Sequence, residues 1–561
     1  MTALRLRPWQ RAAFDKFAAI EGDNANFLAV ATPGAGKTTF ALTCARWALA
    51  NERRRLVVVA PTSHLKVQWS LAAHRLGLQL DPEWTPSGGI AKDVHGIVTT
   101  FQQVATGDTA KVLKGICHDS FVILDELHHA GDEKAWGDAV RLAFSTAHRR
   151  LCLSGTPFRS DTASIPFVRY DDGQAQCDFE YGYGDALRDG GVVRPVYFPR
   201  VDGNMEWSAP DGSVLSASFQ DELARDQVSQ RLRAALSLDG EWLPHVLEQG
   251  HERLMHIRET HPQAGGLVMA MDQEHAQSIA RLIRTRFDEP ADVVISDDPG
   301  ASKKITAFAE SDAAWLVSVR MVSEGVDIPR LRVGVYASTV STELFFRQAV
   351  GRFVRWQAGR ASQQAFVYLP DDVRLRTHAF QIMESRRHVL RRFLPGDDLA
   401  ETGIAEHDAP LDQIVEENMG PEQLSLFSVL SAVATGTQIH AISPTGIAVP
   451  YEFGTDEPDQ PEPVFADDPS LELDLAEIPT DAGWRHDGSR SVFEIKDDLR
   501  ERNADLAKRL VDMTGWGHAR VNGEMNRLGG VIAVSSATTD QLERRLRTSE
   551  NWLGQLRKRR P

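Results

Sequence analysis

Short apolar runs alternate with longer stretches of helical periodicity over the first 160 residues of the chain. Each run has three to five residues, which is typical of a strand buried on both faces. The stretches between them, such as 40–49 and 64–76, place apolar residues at helical spacing. The runs are 26–30, 56–60, 97–101, 121–124 and 151–153. This alternation predicts an α/β fold with a mostly parallel sheet covered by helices.

A second α/β series begins near residue 263, after a region in which the pattern loosens. The sequence therefore predicts two α/β lobes in tandem, residues 1–165 and 263–395. Residues 166–262 are predicted to form a bridging or inserted region between them. The strands predicted in the second lobe are 265–270, 314–319, 333–337 and 365–369.

Charge is distributed unevenly in the C-terminal part of the chain. Residues 393–484 contain 20 Asp and Glu and no Lys or Arg, so the net charge of −16 is concentrated there. From residue 485 to the end, 16 Lys and Arg stand against 11 Asp and Glu. We expect an acidic linker, 396–484, followed by a small basic helical module, 485–561. Such asymmetry is typical of a protein with a polyanionic partner, although a solvated linker and tail would also explain it.

A glycine-rich turn separates the first apolar run from the first helix, which is the context of a phosphate-binding loop. Gly34 and Gly36 allow consecutive backbone N–H groups to point at one phosphate, and the helix N-terminus adds partial positive charge. Lys37 is suited to the β- and γ-phosphates of ATP, and the Thr38 hydroxyl to Mg²⁺. The usual first glycine is Ala31 here, and a turn without a ligand is the alternative. The candidate nucleotide-binding residues are Thr32, Gly34, Ala35, Gly36, Lys37, Thr38 and Thr39.

Paired carboxylates follow the apolar run 121–124 in the sequence Asp125-Glu126-Leu127-His128-His129. A carboxylate pair at the end of a buried strand indicates an Mg²⁺ ligand, Asp125, followed by a catalytic base, Glu126. A metal site at the two histidines is disfavoured, because no further ligand has suitable spacing. We expect His128 to couple the nucleotide site to its neighbours and His129 to cap or pack.

Polar residues at the ends of two other strands are candidates for nucleic-acid contacts. Pro61 and Thr62 follow the second apolar run, and Thr99 and Thr100 lie in the third. Ligands of open α/β sheets bind at the carboxyl ends of strands, where these residues can contact a phosphate backbone. Threonine as a strand former or helix cap is the alternative at each position.

Three further side chains suit the nucleotide. Gln10 follows the stiff segment Arg7-Pro8-Trp9 and has the donor and acceptor needed for the adenine edge. Arg352 and Arg355 are three residues apart in a predicted helix, so they would share one face. Two arginines on one face can bind phosphate oxygens as arginine fingers, whereas a solvated basic face is the ordinary alternative.

Other patterns limit the class of protein. Four separated cysteines without a C-x-x-C pair favour a reducing cytoplasm over a zinc or disulfide framework. No apolar run approaches the roughly 18 residues of a membrane span, so we expect a cytoplasmic protein without a membrane partner. Glu494-x-Lys496, with Asp481 upstream, weakly imitates the carboxylate–lysine set of metal-dependent nucleases.

Taken in order, these motifs resemble those of superfamily 2 helicases. The series comprises the phosphate loop, Pro-Thr, Thr-Thr, Asp-Glu-x-His, Ser-Gly-Thr-Pro, Ser-x-Gly-x-Asp and Gln-x-x-Gly-Arg-x-x-Arg, over residues 4–370. The chain is most similar to bacterial and phage DEAD/DEAH-box proteins related to RadD, XPB and restriction-enzyme motors. The sequence departs from the family pattern at two motifs. Ser-Gly-Thr replaces Ser-Ala-Thr, a change that concerns the coupling of hydrolysis to unwinding. Asp-Glu-Leu-His, in place of Asp-Glu-Ala-Asp, points away from RNA-dedicated DEAD-box proteins.

The resemblance implies two RecA-like P-loop lobes with ATP and Mg²⁺ in the cleft between them. It implies that Ser154, Thr156 and His128 couple nucleotide state to the nucleic acid. Arg352 and Arg355 would act as fingers from the second lobe. The other second-lobe residues implied at the nucleotide are Gly325, Asp327 and Gln348.

The sequence leaves several functions open. The leading hypothesis is an ATP-dependent helicase or translocase acting on nucleic acid, DNA rather than RNA, in repair or phage defence. The alternatives are a duplex-DNA translocase without unwinding, an RNA helicase, a helicase–nuclease and a regulatory nucleic-acid-binding module. The C-terminal region is a candidate for docking a protein partner.

Overall fold

The computed structural model describes two α/β lobes and a C-terminal helical module. The residues it describes are 4–22, 25–52, 55–87, 89–128, 134–155, 165–171, 174–295, 300–319, 328–357, 359–360, 363–392, 427–438, 440–442, 448–450, 469–473 and 490–559.

The first lobe is a seven-stranded parallel sheet in the order β10-β2-β7-β6-β3-β5-β4. Strands β3 and β6 are apolar throughout because alternate residues enter different cores. In β2, Phe27 and Ala29 pack on one face of the sheet, and Leu28 and Val30 on the other. The elements are β1 (Leu4–Arg5), α1 (Pro8–Ala18), β2 (Ala25–Ala31), α2 (Lys37–Glu52), β3 (Leu56–Ala60), α3 (Ser63–Arg75), β4 (Leu80–Asp81), β5 (Gly96–Thr100), α4 (Phe101–Ala105), α5 (Thr109–Ile116), β6 (Phe121–Leu124), α6 (Lys134–Phe144), β7 (Arg149–Ser154), β8 (Arg169–Asp171), β9 (Gln174–Gln176), β10 (Phe179–Tyr181) and α7 (Tyr183–Arg188).

The second lobe has a larger sheet in the order β13-β12-β18-β17-β14-β16-β15, parallel from β12 to β15. Strand β11 pairs with β18, and β13 and β19 run antiparallel to β12. The tandem parallel sheets confirm the predicted fold class. The elements are β11 (Val196–Tyr197), β12 (Arg200–Ser208), β13 (Val214–Ser218), α8 (Arg225–Ala235), α9 (Trp242–Thr260), β14 (Gly265–Ala270), α10 (Gln273–Arg286), β15 (Ala291–Ile295), α11 (Ala301–Glu310), β16 (Trp315–Val319), β17 (Leu331–Ala337), α12 (Glu343–Val350), β18 (Ala365–Pro370), α13 (Val373–Arg392) and β19 (Ser428–Gln438).

The region expected to bridge the lobes contributes strands to both sheets. Strand β10 extends the first sheet beside β2, and β11 and β12 extend the second beside β18. Between them, Leu187, Val192 and Val193 belong to one apolar cluster that continues from the first lobe into the second. The two lobes therefore meet through a shared core as well as across a cleft.

The acidic region also contributes strands, although most of 396–484 lies outside the described residues. Strand β19 pairs with β12 along its whole length, from Arg200 to Ser208. Two short strands, β20 (His440–Ile442) and β21 (Ala448–Pro450), pair with each other. Further on, β22 (Glu472–Leu473) pairs with β1 of the first lobe.

Three helices form the C-terminal module where the sequence predicts helices. They are α14 (Val492–Thr514), α15 (His518–Gly529) and α16 (Thr539–Arg559). The module docks on the first lobe around Asp93, whose Oδ1 lies 2.7 Å from Lys496 Nζ and whose Oδ2 accepts from the Thr539 N–H at 2.8 Å. The Val492 N–H donates to Gln79 Oε1 at 3.1 Å.

This docking removes the basis of the nuclease hypothesis. Lys496 is 1% exposed and paired with Asp93, so it cannot serve a metal site with Glu494. Glu494 instead accepts from the Ser491 N–H at 2.7 Å and caps α14. Asp481, the third member of that set, lies outside the described residues.

Within the described residues, no helix is both long and apolar enough to cross a bilayer.

Candidate nucleotide site between the lobes

The phosphate loop turns between β2 and α2 with two glycines in the left-handed region. Gly34 has φ +82° and Gly36 has φ +92°. A Cβ on Gly36 would lie 2.8 Å from Gln10 Nε2, so both conformation and space require glycine there. Lys37 begins α2, and its Nζ donates to the Ala31 carbonyl at 3.2 Å. The backbone is thus shaped for an anion at the helix N-terminus.

The residue that precedes α1 and the first turn of α1 support this loop. Arg7 Nη1 donates to the Gly34 and Ala35 carbonyls at 3.1 and 2.8 Å, and Trp9 Nε1 donates to the Ala35 carbonyl at 3.1 Å. Gln10 Nε2 donates to the Gly36 carbonyl at 2.9 Å, while its Oε1 accepts from the Arg7 N–H at 2.8 Å. Burial lowers the pKa of Arg7.

These contacts give part of this stretch a structural role, which is to support the phosphate loop. Sequence reasoning missed Arg7 and Trp9 as supports of the loop, although both lie in the stretch that drew attention to Gln10. The Gln10 amide is 3% exposed and bonded to backbone, and its contact with adenine stays a prediction.

Glu126, the predicted catalytic base, lies beside the loop lysine. Its Oε1 is 2.9 Å from Lys37 Nζ, and its Oε2 accepts from the Gly155 N–H at 2.9 Å. Its backbone has φ +47°, an unusual conformation for a residue with a side chain. Burial opposes ionisation of Glu126, but Lys37 and His128 outweigh it and lower its pKa to about 2. The carboxylate is therefore ionised and held by two donors, the Lys37 ammonium and the Gly155 N–H.

The neighbouring Asp125 has a different environment. Burial, reinforced by the charge of Glu126, raises the pKa of Asp125 to about 6. The Trp69 indole N–H donates to its Oδ2 at 2.8 Å. Asp125 is 8% exposed and lies at the carboxyl end of β6.

Asp125 and the half-buried Thr38 offer the oxygen ligands that Mg²⁺ prefers. Among the residues that the structure describes, no group of three or more His, Cys, Asp or Glu could hold a metal ion. A site with few protein ligands fits Mg²⁺, which is commonly bound through one or two carboxylates together with substrate phosphates. The residues present thus fit MgATP.

His128 joins the two lobes at this site. Its Nε2 lies 3.1 Å from Gln348 Nε2 of the second lobe. Its Nδ1 lies 3.5 Å from Ser154 Oγ and 3.6 Å from Glu126 Oε2. If Nε2 accepts from the amide, the neutral ring carries its proton on Nδ1, facing Ser154 and Glu126. The predicted coupling residues Ser154 and His128 are thus brought together, while Thr156 and His129 lie outside the described residues.

The two arginines lie after α12, and the prediction that they share a helix face is wrong. Helix α12 ends at Val350, and Gly351 packs so closely on Pro33 that a Cβ there would lie 2.7 Å away. Arg355 instead forms a β-bridge with Val193, and its Cδ lies within 3.5 Å of a Cβ built on Gly34. The turn places Arg355 against the phosphate loop.

Of the other second-lobe candidates, Gly325 and Asp327 lie outside the described residues.

The threonines at the strand ends differ in whether their hydroxyl groups are already used in hydrogen bonds within the protein. Thr99 is fully buried and donates to Gln103 Oε1 at 3.0 Å, and Thr100 caps α4 by accepting from the Gln103 N–H at 3.1 Å. Pro61 and Thr62 are half-buried at the end of β3, and Thr62 precedes α3 without a side-chain capping bond. Their contact with nucleic acid stays a prediction.

The sequence matches known proteins over most of its length. Residues 3–159 match the family described as the res subunit of type III restriction enzymes. Over 436 residues the chain is 44% identical to uncharacterized protein Rv2917 of Mycobacterium tuberculosis, covering 73% of this chain and 72% of that protein. Over 564 residues it is 38% identical to uncharacterized protein ML1624 of Mycobacterium leprae, covering 96% and 93%.

The chain belongs to the same family as these mycobacterial proteins. The motif order and the match of residues 3–159 to the res subunit agree with the superfamily 2 helicase type. A nucleic-acid-dependent, ATP-hydrolysing motor using a divalent metal is the general activity of that superfamily.

Solved structures are less similar to this chain than the mycobacterial proteins are. A fragment described as an HsdR subunit of a type I restriction enzyme from Vibrio vulnificus YJ016 has a TM-score of 0.46 at 18% identity, covering 66% of this chain and 65% of that one. The Hef helicase domain of Pyrococcus furiosus has a TM-score of 0.38 at 14% identity, covering 68% and 99%. The fold assignment rests on the sheets described above.

Proposed function

We propose that this protein is an ATP-dependent DNA motor that couples hydrolysis to translocation or strand separation. The observation that carries the proposal is the cluster of Lys37, Glu126 and His128 with Gln348 reaching it from the second lobe. One site thus combines a phosphate-binding lysine, a carboxylate base and a contact that changes when the lobes move.

The contacts suggest how the chain's own groups work in sequence. Lys37 neutralises Glu126 at rest, and phosphate oxygens of ATP compete for the lysine. Release from Lys37 raises the pKa of Glu126, so the carboxylate becomes able to accept a proton from the attacking water. Bound Mg²⁺ would supply charge neutralisation of the phosphates. Arg355, already against the loop, is placed to stabilise the charge that develops on the transferred phosphoryl group.

DNA is proposed over RNA on two sequence features. The chain carries Asp-Glu-Leu-His rather than the Asp-Glu-Ala-Asp of RNA-dedicated relatives, and its matched family is described by a restriction enzyme subunit. A duplex translocase without unwinding uses the same site, so we keep it as the second candidate.

Steady-state ATP hydrolysis measured at fixed salt tests the proposal. The reactions contain no polymer, single-stranded DNA, duplex DNA or single-stranded RNA, with Lys37→Ala as the inactive control. We expect stimulation by DNA, and the preferred form distinguishes an unwinding motor from a duplex translocase. Stimulation by RNA alone would refute the DNA assignment. A hydrolysis rate that is the same with and without each polymer would refute the proposal of a nucleic-acid motor.

A further inference from the structure

Trp69 lies on α3 and is 2% exposed, yet its indole N–H points at a carboxylate. The indole nitrogen is 2.8 Å from Asp125 Oδ2. An indole N–H can only donate, and a donor to an ionised acceptor makes one of the stronger hydrogen bonds in proteins. The bond therefore determines which oxygen of Asp125 faces the interior of the lobe.

The backbone of Asp125 is fixed independently. Its N–H donates to the Val59 carbonyl of β3 at 2.9 Å, so β3 holds the main chain while α3 holds the side chain. With both restraints, the carboxylate is held in one orientation, in which Oδ2 accepts from the indole.

We propose that Trp69 is a positioning residue that holds the Asp125 carboxylate in the orientation needed by the divalent cation of the bound nucleotide. The inference rests on the proposed function, because it assigns a role in nucleotide binding to a residue outside the phosphate loop. Trp69 does not touch the nucleotide. It acts through Asp125, from a helix that begins directly after Pro61 and Thr62.

The chain offers a matched control. Trp84 is also 2% exposed and belongs to the same lobe, and its indole N–H has no hydrogen-bond partner among the residues that the structure describes. Tryptophan-to-phenylalanine replacement removes an N–H group and some ring volume at either position. Only at Trp69 does it remove a hydrogen bond to the metal carboxylate.

The experiment is calorimetric titration of the full chain with ADP, in EDTA and at a series of Mg²⁺ concentrations. For Trp69→Phe we expect unchanged ADP affinity in EDTA and a loss of about tenfold to a hundredfold in the gain that Mg²⁺ gives, which is typical when support of a metal ligand is removed. Trp84→Phe should retain the full gain. Thermal unfolding of each variant confirms that it is folded, and Trp69→Tyr replaces Trp69→Phe if the latter is not.

The possible outcomes distinguish the inference about Trp69 from the proposed function on which it rests. If the unmodified protein binds ADP more tightly with Mg²⁺ and Trp69→Phe does so equally, the inference is refuted and the proposed function stands. An equal loss of affinity with and without Mg²⁺ would mean a general packing role and would also refute it. If Mg²⁺ does not affect ADP binding by the unmodified protein, both fail.

Discussion

The bridge between His128 and Gln348 predicts a measurable energy of lobe closure. Replacing Gln348 by Ala removes a hydrogen bond of 3.1 Å to an imidazole that is 2% exposed. Hydrogen bonds between neutral groups contribute about 0.5–1.5 kcal/mol net. The closed arrangement should therefore become about two- to tenfold less populated relative to the open one.

The assay is energy transfer between dyes on the two lobes, read together with ATP hydrolysis at saturating ATP. We expect Gln348→Ala to lower the closed fraction and the DNA-stimulated rate together, while ATP affinity in the absence of DNA changes less. Gln273→Ala serves as the control, because Gln273 is exposed at the start of α10 on the same lobe. An unchanged closed fraction in Gln348→Ala would refute the reasoning, since the bridge would then contribute nothing to closure.

Further predictions concern the carboxylates and the docked module. Glu126→Gln should abolish steady-state hydrolysis while ATP binding, followed by calorimetry, persists; a retained rate would exclude Glu126 as the base. Because the pKa of Asp125 is raised to about 6, the folded state holds a proton that the unfolded state releases between about pH 4 and 6. Its contribution to stability therefore falls as pH rises through that window, and Asp125→Asn should become more stable relative to the unmodified protein there, as urea titrations at each pH would show. Asp93→Asn leaves the buried Lys496 ammonium unpaired, which costs roughly 3–5 kcal/mol and should detach the C-terminal module in limited proteolysis. Lys508→Met, which breaks an exposed pair, should leave the digestion pattern unchanged.

The parts of the site that the sequence predicted are those encoded within a few neighbouring residues. A buried strand, two glycines and a helix specify the phosphate loop locally, and the carboxylates after β6 follow from an equally short pattern. The prediction that the two arginines share a helix face failed because helical spacing was extended past Val350, where α12 ends and Gly351 packs closely on Pro33.

What the sequence could not predict depends on contacts between distant positions. Composition indicated a linker around residues 428–438. These residues instead form β19, whose partner strand β12 lies more than 200 positions earlier in the chain. The Trp69 bond to Asp125 joins two elements whose proximity exists only after β3 and β6 pair. Lys496 carries a charge that typically faces solvent, and only the docked position of α14 shows why it is buried.

The pairing of β22 with β1 marks a second crossing of the chain between the lobes. The chain passes from the first lobe to the second after β10, and it returns after β21 to reach β22. The lobes are thus joined by two crossings of the chain. The second one ends on Leu4 and Arg5, two residues before the arginine that grips the phosphate loop. The hydrogen bonds between β22 and β1 thus anchor a segment from beyond the second lobe next to the residues that support the nucleotide pocket.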